Sequence, residues 1–228
     1  MRTTMGASAA EVSRLRTRLE QLQGRRLDAP VLPVLAALAE LLPGGGLRPG
    51  AAYTVSPSAS LLLALLVRPS QTGSWCAVVG MPELGAEAAE ALGVDLSRLV
   101  LIPDPGPRWL AVTATVADVL PVVAVRPRSG AGTAEIARLS ARLREKGTVL
   151  LVQGRWPQAE ASLSIDAPQW SGVGDGHGYL TRRALTVSVT SRYRPAPRRA
   201  RMLLPDEAGA LTAASWSEPP RAPMRAVG

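Results

Sequence analysis

The sequence predicts an α/β fold, a mostly parallel sheet flanked by helices. Three observations carry that prediction. Short apolar segments (residues 74–79, 99–102, 121–125 and 148–152) alternate with helical ones. Those segments are apolar at nearly every position rather than at every second one, the mark of strands covered on both faces. Glycine and proline punctuate the junctions: Thr72-Gly73, Gly93, Pro103-Asp-Pro-Gly106 and Gly147.

The elements follow in order. Val12, Leu15, Leu19 and Leu22 recur at helical spacing, which predicts a helix over 10–25 with arginines on its other faces. A second helix over 34–42 stops at Pro43-Gly-Gly-Gly46. Residues 51–55 read as a strand and 60–67 as an apolar helix. After the strand over 74–79 come a helix over 83–92, a strand over 99–102 and a helix over 109–120. A strand over 121–125 precedes an amphipathic helix over 133–145, with Ile136, Leu139 and Leu143 on one face, and then the strand over 148–152. From Trp156 the helical period is lost. Strands are expected at 161–165, 185–193 and 200–204, extending the sheet as a meander. The organisation expected is a helical arm over 1–43, an α/β domain over 44–204 and a disordered tail over 205–228.

Composition bounds the classes. The 228 residues are 46% hydrophobic but only 4% aromatic, with no Phe, so the core is aliphatic. The longest apolar run, 61–67, is too short to cross a bilayer, and the opening residues lack the apolar stretch of a signal peptide, so a cytoplasmic location is expected. One cysteine, Cys76, sits in an apolar run and reads as a buried, inert thiol. One His and one Cys do not make a tetrahedral zinc site, and His177, near Asp175 in a glycine-rich loop without a Ser or Cys nucleophile close by, reads as a poor active site. Net charge is +8, and Lys146 is the only lysine among 26 basic residues. Such an arginine excess suits nucleic acid or an acidic protein, and also follows from a GC-rich coding composition.

The junction at Tyr53-Thr-Val-Ser-Pro-Ser-Ala-Ser-Leu-Leu-Leu63 has the strand–turn–helix layout of a phosphate-binding loop. It lacks what that chemistry needs: glycines for backbone approach, a lysine for the β- and γ-phosphates, a hydroxyl for Mg²⁺. A later strand that would carry a Mg²⁺-holding acid ends in Arg126 instead.

The succession Gly45-Gly-Leu-Arg-Pro-Gly50, strand, then Ser-Pro-Ser-Ala-Ser resembles the entry of the RecA core, as does Leu92-Gly-Val-Asp-Leu-Ser-Arg-Leu99. The resemblance implies a RecA-like core with a degenerate P-loop. Ser56, Pro57 and Ser60 keep its frame, Leu62 falls on the catalytic lysine, Leu63 on the Mg²⁺ hydroxyl, and Arg126 on the lost acid. Among RecA-like families without ATPase residues, the chain resembles the ImuA family, especially its actinobacterial ImuA-prime branch. That implies a non-enzymatic, cofactor-free accessory protein of SOS-induced translesion synthesis. Its partners would be an ImuB-like Y-family polymerase homologue and an error-prone C-family polymerase, with weak single-stranded DNA binding and no membrane. The alternative is similarity to SulA, an inhibitor of the tubulin-like division protein.

Without a nucleotide pocket, function falls to surfaces. Ser191-Arg-Tyr-Arg-Pro-Ala-Pro-Arg-Arg-Ala-Arg201 concentrates Arg192, Arg194, Arg198, Arg199 and Arg201 beside Tyr193. It reads either as a site for DNA backbone or an acidic segment, or as a solvated rim. The stripe Val12, Leu15, Leu19, Leu22 either docks a partner or packs on its own domain. Arg155 and Trp156 follow a strand end, where open α/β sheets place ligands, unless the Trp packs inward.

Overall fold

The apolar runs at 76–79, 99–102, 122–125 and 149–153 become strands, and with Ala52–Val55 and the alternating segments that follow they build one nine-stranded sheet. The computed structural model describes residues 30–174, 177–206 and 208–214, apart from the side chains of 173–178 and 195. The expected helix over 10–25, with Val12, Leu15, Leu19 and Leu22, and most of the expected tail lie outside the described residues.

In chain order the elements are β1 (Leu32–Pro33), α1 (Ala36–Ala39), β2 (Gly46–Leu47), β3 (Ala52–Val55), α2 (Ala59–Gln71), β4 (Cys76–Val79) and α3 (Ala86–Ala91). There follow β5 (Leu99–Ile102), α4 (Trp109–Ala117), β6 (Val122–Val125), α5 (Thr133–Lys146) and β7 (Val149–Gln153). The chain closes with β8 (Ala161–Gly174), β9 (His177–Ser191), β10 (Arg194–Leu203) and β11 (Thr212–Ala213). The sheet order is β11-β10-β9-β8-β3-β7-β6-β4-β5. From β8 to β5 every pairing is parallel; from β8 to β11 every pairing is antiparallel. β1 and β2 form a separate two-stranded antiparallel ladder.

The connections explain which face each helix covers. From β3 through β4 to β5 the chain moves toward one edge, and from β5 through β6 to β7 it moves back. Right-handed crossovers then place α2 and α3 on one face and α4 and α5 on the other. The buried clusters divide accordingly. One gathers α2 with Val34, Leu38, Leu42, Leu47, Leu185 and Met202; the other gathers Trp109, Leu139, Leu143 and Trp156. α2 is apolar on all sides because it is covered on all sides: the sheet lies beneath it, and α1, Leu204 and Leu211 lie around it.

Two expectations needed correction. The helix expected over 34–42 is only the single turn of α1. Leu35 offers no side-chain cap, and after Ala39 the chain tightens, with the Leu41 amide donating to Leu38. Between 166 and 184, where no strand was expected, β8 and β9 extend as a paired antiparallel ladder. Irregularities at Asp166/Gln169 and Ser171/Val173, with Ala167 at φ 47°, break the alternation that signals a strand. Gly172 sits at the second irregularity with φ 125°, where a Cβ would collide with the Tyr179 carbonyl. Smaller differences trim 83–92 and 109–120 and lengthen 60–67.

Cys76 is fully buried in β4, and burial pushes its thiol up to about 12. The expected result is no alkylation by iodoacetamide at pH 8 in the native protein and complete alkylation in denaturant, read by intact mass. Rapid native labelling would contradict the packing of β4.

Candidate functional site

Strands β3, β4, β6 and β7 present their carboxyl ends at one edge of the sheet. There β4 leads to a helix on one face and β6 to a helix on the other, the crevice where open α/β sheets place ligands. Among the described residues this crevice holds the chain's own side chains. Arg126, directly after β6, donates from Nε and Nη2 to Gln153 Oε1 at 2.9 and 2.8 Å, and pairs through Nη1 with Glu83. Glu83 is held below the usual carboxylate range, first by its own backbone amide and then by Arg126. Gly80 makes this approach possible. Its φ is 79°, and a Cβ there would lie 2.7 Å from the Arg126 carbonyl.

The loop between β3 and α2 is turned inward in the same way. A phosphate cradle leaves its amides free. Here the Ser56 amide donates to Leu163 O at 2.9 Å, the Leu61 amide to Ser58 Oγ at 3.2 Å, and the Leu62 amide to Ser58 O at 3.1 Å. Ser58 is the N-cap of α2. Leu62 and Leu63 are 0% and 1% exposed. Pro57 is exposed between the two serines, and Ser60 Oγ receives a hydrogen bond from Arg183 Nη2 at 2.5 Å. Arg183 also donates from Nε to Leu204 O at 2.8 Å and lies 5.3 Å from the Trp170 ring centre. Desolvation lowers its pKa.

Arg183 anchors an arm. β8 pairs with β3 only at residues 161–163, and β9 pairs with β10 only as far as Ala184. Beyond those points the two strands run on as a two-stranded projection from the carboxyl edge. At about 3.3 Å per residue, positions 169–174 carry it roughly 20 Å outward. It bears Trp170, Tyr179 and Leu180, 49%, 86% and 56% exposed. Sequence reasoning passed over these three; aromatic residues within an interrupted alternation were the signal available.

The arginines between 191 and 201 do not form one patch. Arg192 donates to Glu160 Oε2 at 3.2 Å and to Tyr193 Oη at 2.7 Å, and stacks on that ring at 4.8 Å. Strand alternation then divides the rest. Arg198 shares a face with Ala200 and Met202 and reaches Glu40 O at 2.5 Å. Arg199 and Arg201 take the opposite face, where Arg201 bonds Gln169 and Ala167 O. Arg194 and Arg199 are exposed, with no ion pair or hydrogen bond to a described residue. Arg155 is exposed in the loop after β7, whereas Trp156 is buried beside Leu139 and Leu143. The side chain of His177, and all of Asp175, lie outside the described residues.

A second group, unforeseen in the sequence, lies at the amino edge. The Arg48 amide donates to Tyr53 Oη at 2.8 Å, and Arg48 Nη1 meets Glu160 Oε1 at 3.0 Å, with side chains 9% and 3% exposed. Burial raises the Tyr53 pKa far above its ordinary value. Glu160 is far in sequence from Arg48 and Tyr53, and the pairing of β3 with β8 brings it beside them.

Fold and site define a class: open, mixed α/β-sheet proteins in which the carboxyl-edge crevice is closed by internal side chains. The chain belongs to the family described as MT3502 N-terminal domain, which matches residues 40–158, from the end of α1 to the loop before β8. It is also 34% identical over 173 residues to uncharacterized protein Rv3395c of Mycobacterium tuberculosis (strain ATCC 25618 / H37Rv), covering 70% of this chain and 83% of that one. Among the described residues no helix is long and apolar enough to cross a membrane.

Proposed function

We propose that this protein is a non-catalytic accessory factor of error-prone translesion DNA synthesis. In this reading a RecA-like core has exchanged nucleotide chemistry for partner binding, the principal partner being an ImuB-like Y-family polymerase homologue. One observation carries the reading: Leu62 and Leu63, which the resemblance aligns with the catalytic lysine and the Mg²⁺ hydroxyl, are core residues. Around them the amides of Ser56, Ser58, Leu61 and Leu62 are bonded within the chain. A triphosphate placed there would be desolvated without compensation. The central place of β3 and the alternation of strands and helices support the RecA-like assignment. The arm with Trp170, Tyr179 and Leu180 supports a role in docking, because exposed aromatic side chains are common anchors of protein interfaces.

The test is affinity isolation of the tagged protein from cells treated with a DNA-damaging agent, read by mass spectrometry. Recovery of a Y-family polymerase homologue, with the C-family polymerase behind it, is the expected result. The tubulin-like division protein without polymerases would replace this reading with a SulA-like one. A double Tyr179→Ala/Leu180→Ala variant is expected to lose polymerase recovery while keeping its thermal midpoint, since exposed side chains away from other contacts contribute within about 0.5 kcal/mol. Direct DNA contact is expected to be weak and salt-sensitive, resting on Arg194 and Arg199. Single-stranded DNA that is not retained even at low salt rules that contact out.

A further inference from the structure

The amino edge of the sheet, opposite the arm and the loop before α2, contains a cleft of about 690 Å³ between the β2–β3 turn, the last turn of α5 and the loop entering β8. Its size falls within the range of small-molecule sites, roughly 300–1,000 Å³. Three features set it apart from an ordinary surface depression.

The first is Arg48. Its guanidinium is buried, yet Nε and Nη2 have no hydrogen-bond partner among the described residues. Folded proteins seldom leave buried donors unmet, so two on one side chain at a cleft wall point to a missing acceptor. Glu160 Oε1 is in a similar position. It has its ion contact with Arg48 but receives no directed hydrogen bond.

The second is charge. Arg48, Arg144 and Arg192 line the cleft against the single carboxylate of Glu160. Arg144, in the last turn of α5, is exposed and without a partner among the described residues. The carboxyl end of α5 adds partial negative charge nearby, which the basic residues of that turn offset. The sum still leaves an excess of about two positive charges in guanidinium form, suited to bidentate oxyanion recognition.

The third is backbone conformation. Gln158 lines the same cleft with φ 59°, a left-handed conformation uncommon for a residue with a side chain. Such residues concentrate at binding sites.

We propose that this cleft binds a small hydroxylated phosphate monoester of the sugar-phosphate or nucleoside-monophosphate type. The phosphate lies among Arg48, Arg144 and Arg192, a ligand hydroxyl donates to Glu160 Oε1, and Trp156 provides an apolar wall. A dianion matches the excess charge, and Glu160 Oε1, ion-paired with Arg48 at 3.0 Å, can accept a further hydrogen bond from a hydroxyl on the ligand beside its phosphate. The depth of Arg48 favours a small molecule over a polymer, whose backbone cannot bring a phosphate to a side chain only 9% exposed. This site is independent of the adaptor reading and survives its failure.

Isothermal titration of the full chain with ribose 5-phosphate, adenosine monophosphate and inorganic phosphate, at physiological ionic strength, tests the assignment. Saturable one-site binding of at least one phosphate monoester is expected, at least tenfold tighter than inorganic phosphate. Arg144→Ala and Arg192→Gln, both at exposed side chains, are each expected to weaken it at least tenfold. Arg138→Ala, in the groove between α4 and α5, is expected to leave affinity within twofold. Absence of saturable binding by all three probes overturns the proposal, as does affinity that Arg144→Ala leaves unchanged. Inorganic phosphate binding as tightly as the esters overturns the hydroxyl contact. Saturable binding of a polyglutamate peptide in place of the phosphate probes reassigns the cleft to an acidic partner segment.

Discussion

Replacing Leu62 by Lys is expected to destabilise the protein by at least about 3 kcal/mol and to produce no ATP turnover. By resemblance the substitution restores the residue a nucleotide loop needs, but it places an ammonium where Leu61, Leu65 and Leu66 are packed without exposure. Losing a fully buried leucine costs about 2–5 kcal/mol through transfer and cavity terms. A lysine amine forced into the same space must be desolvated or deprotonated, which adds to that cost. Urea denaturation measures the loss, and Leu62→Met is the control, expected to cost less than about 1.5 kcal/mol because volume is conserved. A Leu62→Lys variant with the parent's midpoint would mean that the start of α2 is open to water and that the loop can still admit a ligand.

The second large effect is expected at Glu160. Changing it to Ala removes the buried partner of Arg48 and one partner of Arg192. Leaving a buried guanidinium uncompensated costs about 3–5 kcal/mol. Replacing both members together, as Arg48→Met/Glu160→Leu, is expected to recover most of that loss, since a well-packed apolar pair of similar volume is often as stable as the ion pair it replaces. The double-mutant cycle in urea separates the coupling from the burial cost. If Glu160→Ala costs less than about 1 kcal/mol, the Arg48 guanidinium is solvated from the adjoining cleft and does not depend on Glu160 for its compensation.

How much of this was legible in the sequence depended on the range of the signal. Where side-chain periodicity and turn residues act locally, elements and their class could be read: β4, β5, β6, β7 and α5 fall close to the segments their patterns marked. The apolar run starting at Leu61 announced a helix but not why it lacked a polar face. The answer is tertiary, because α1 and the β10–β11 region cover the side that solvent normally takes. The β8–β9 arm was missed because two irregularities shift the alternation out of phase. The strand–turn–helix junction before α2 was legible from its serines and proline, and Ser58 does cap the helix there. The pairing of Arg48 with Glu160, and the separation of Arg198 from Arg199 onto opposite faces, depended on register and could not be seen before the strands were aligned.

The position of β3 also has a bearing on synthesis and on truncation. β3 forms early in the chain but has no partners of its own age: its neighbours are β7 and β8, residues 149–153 and 161–163. A nascent chain must therefore hold β3 unpaired until β7 and β8 have been made, although α2 can meet β4 and β6 earlier; this is a high-contact-order arrangement that favours slow folding. Cutting at 158, the limit of the matched family segment, deletes β8 and turns the central strand into a bare edge. Such an edge is a template for pairing with other chains. A fragment ending at 158 is therefore expected to associate more readily than one that extends through β10.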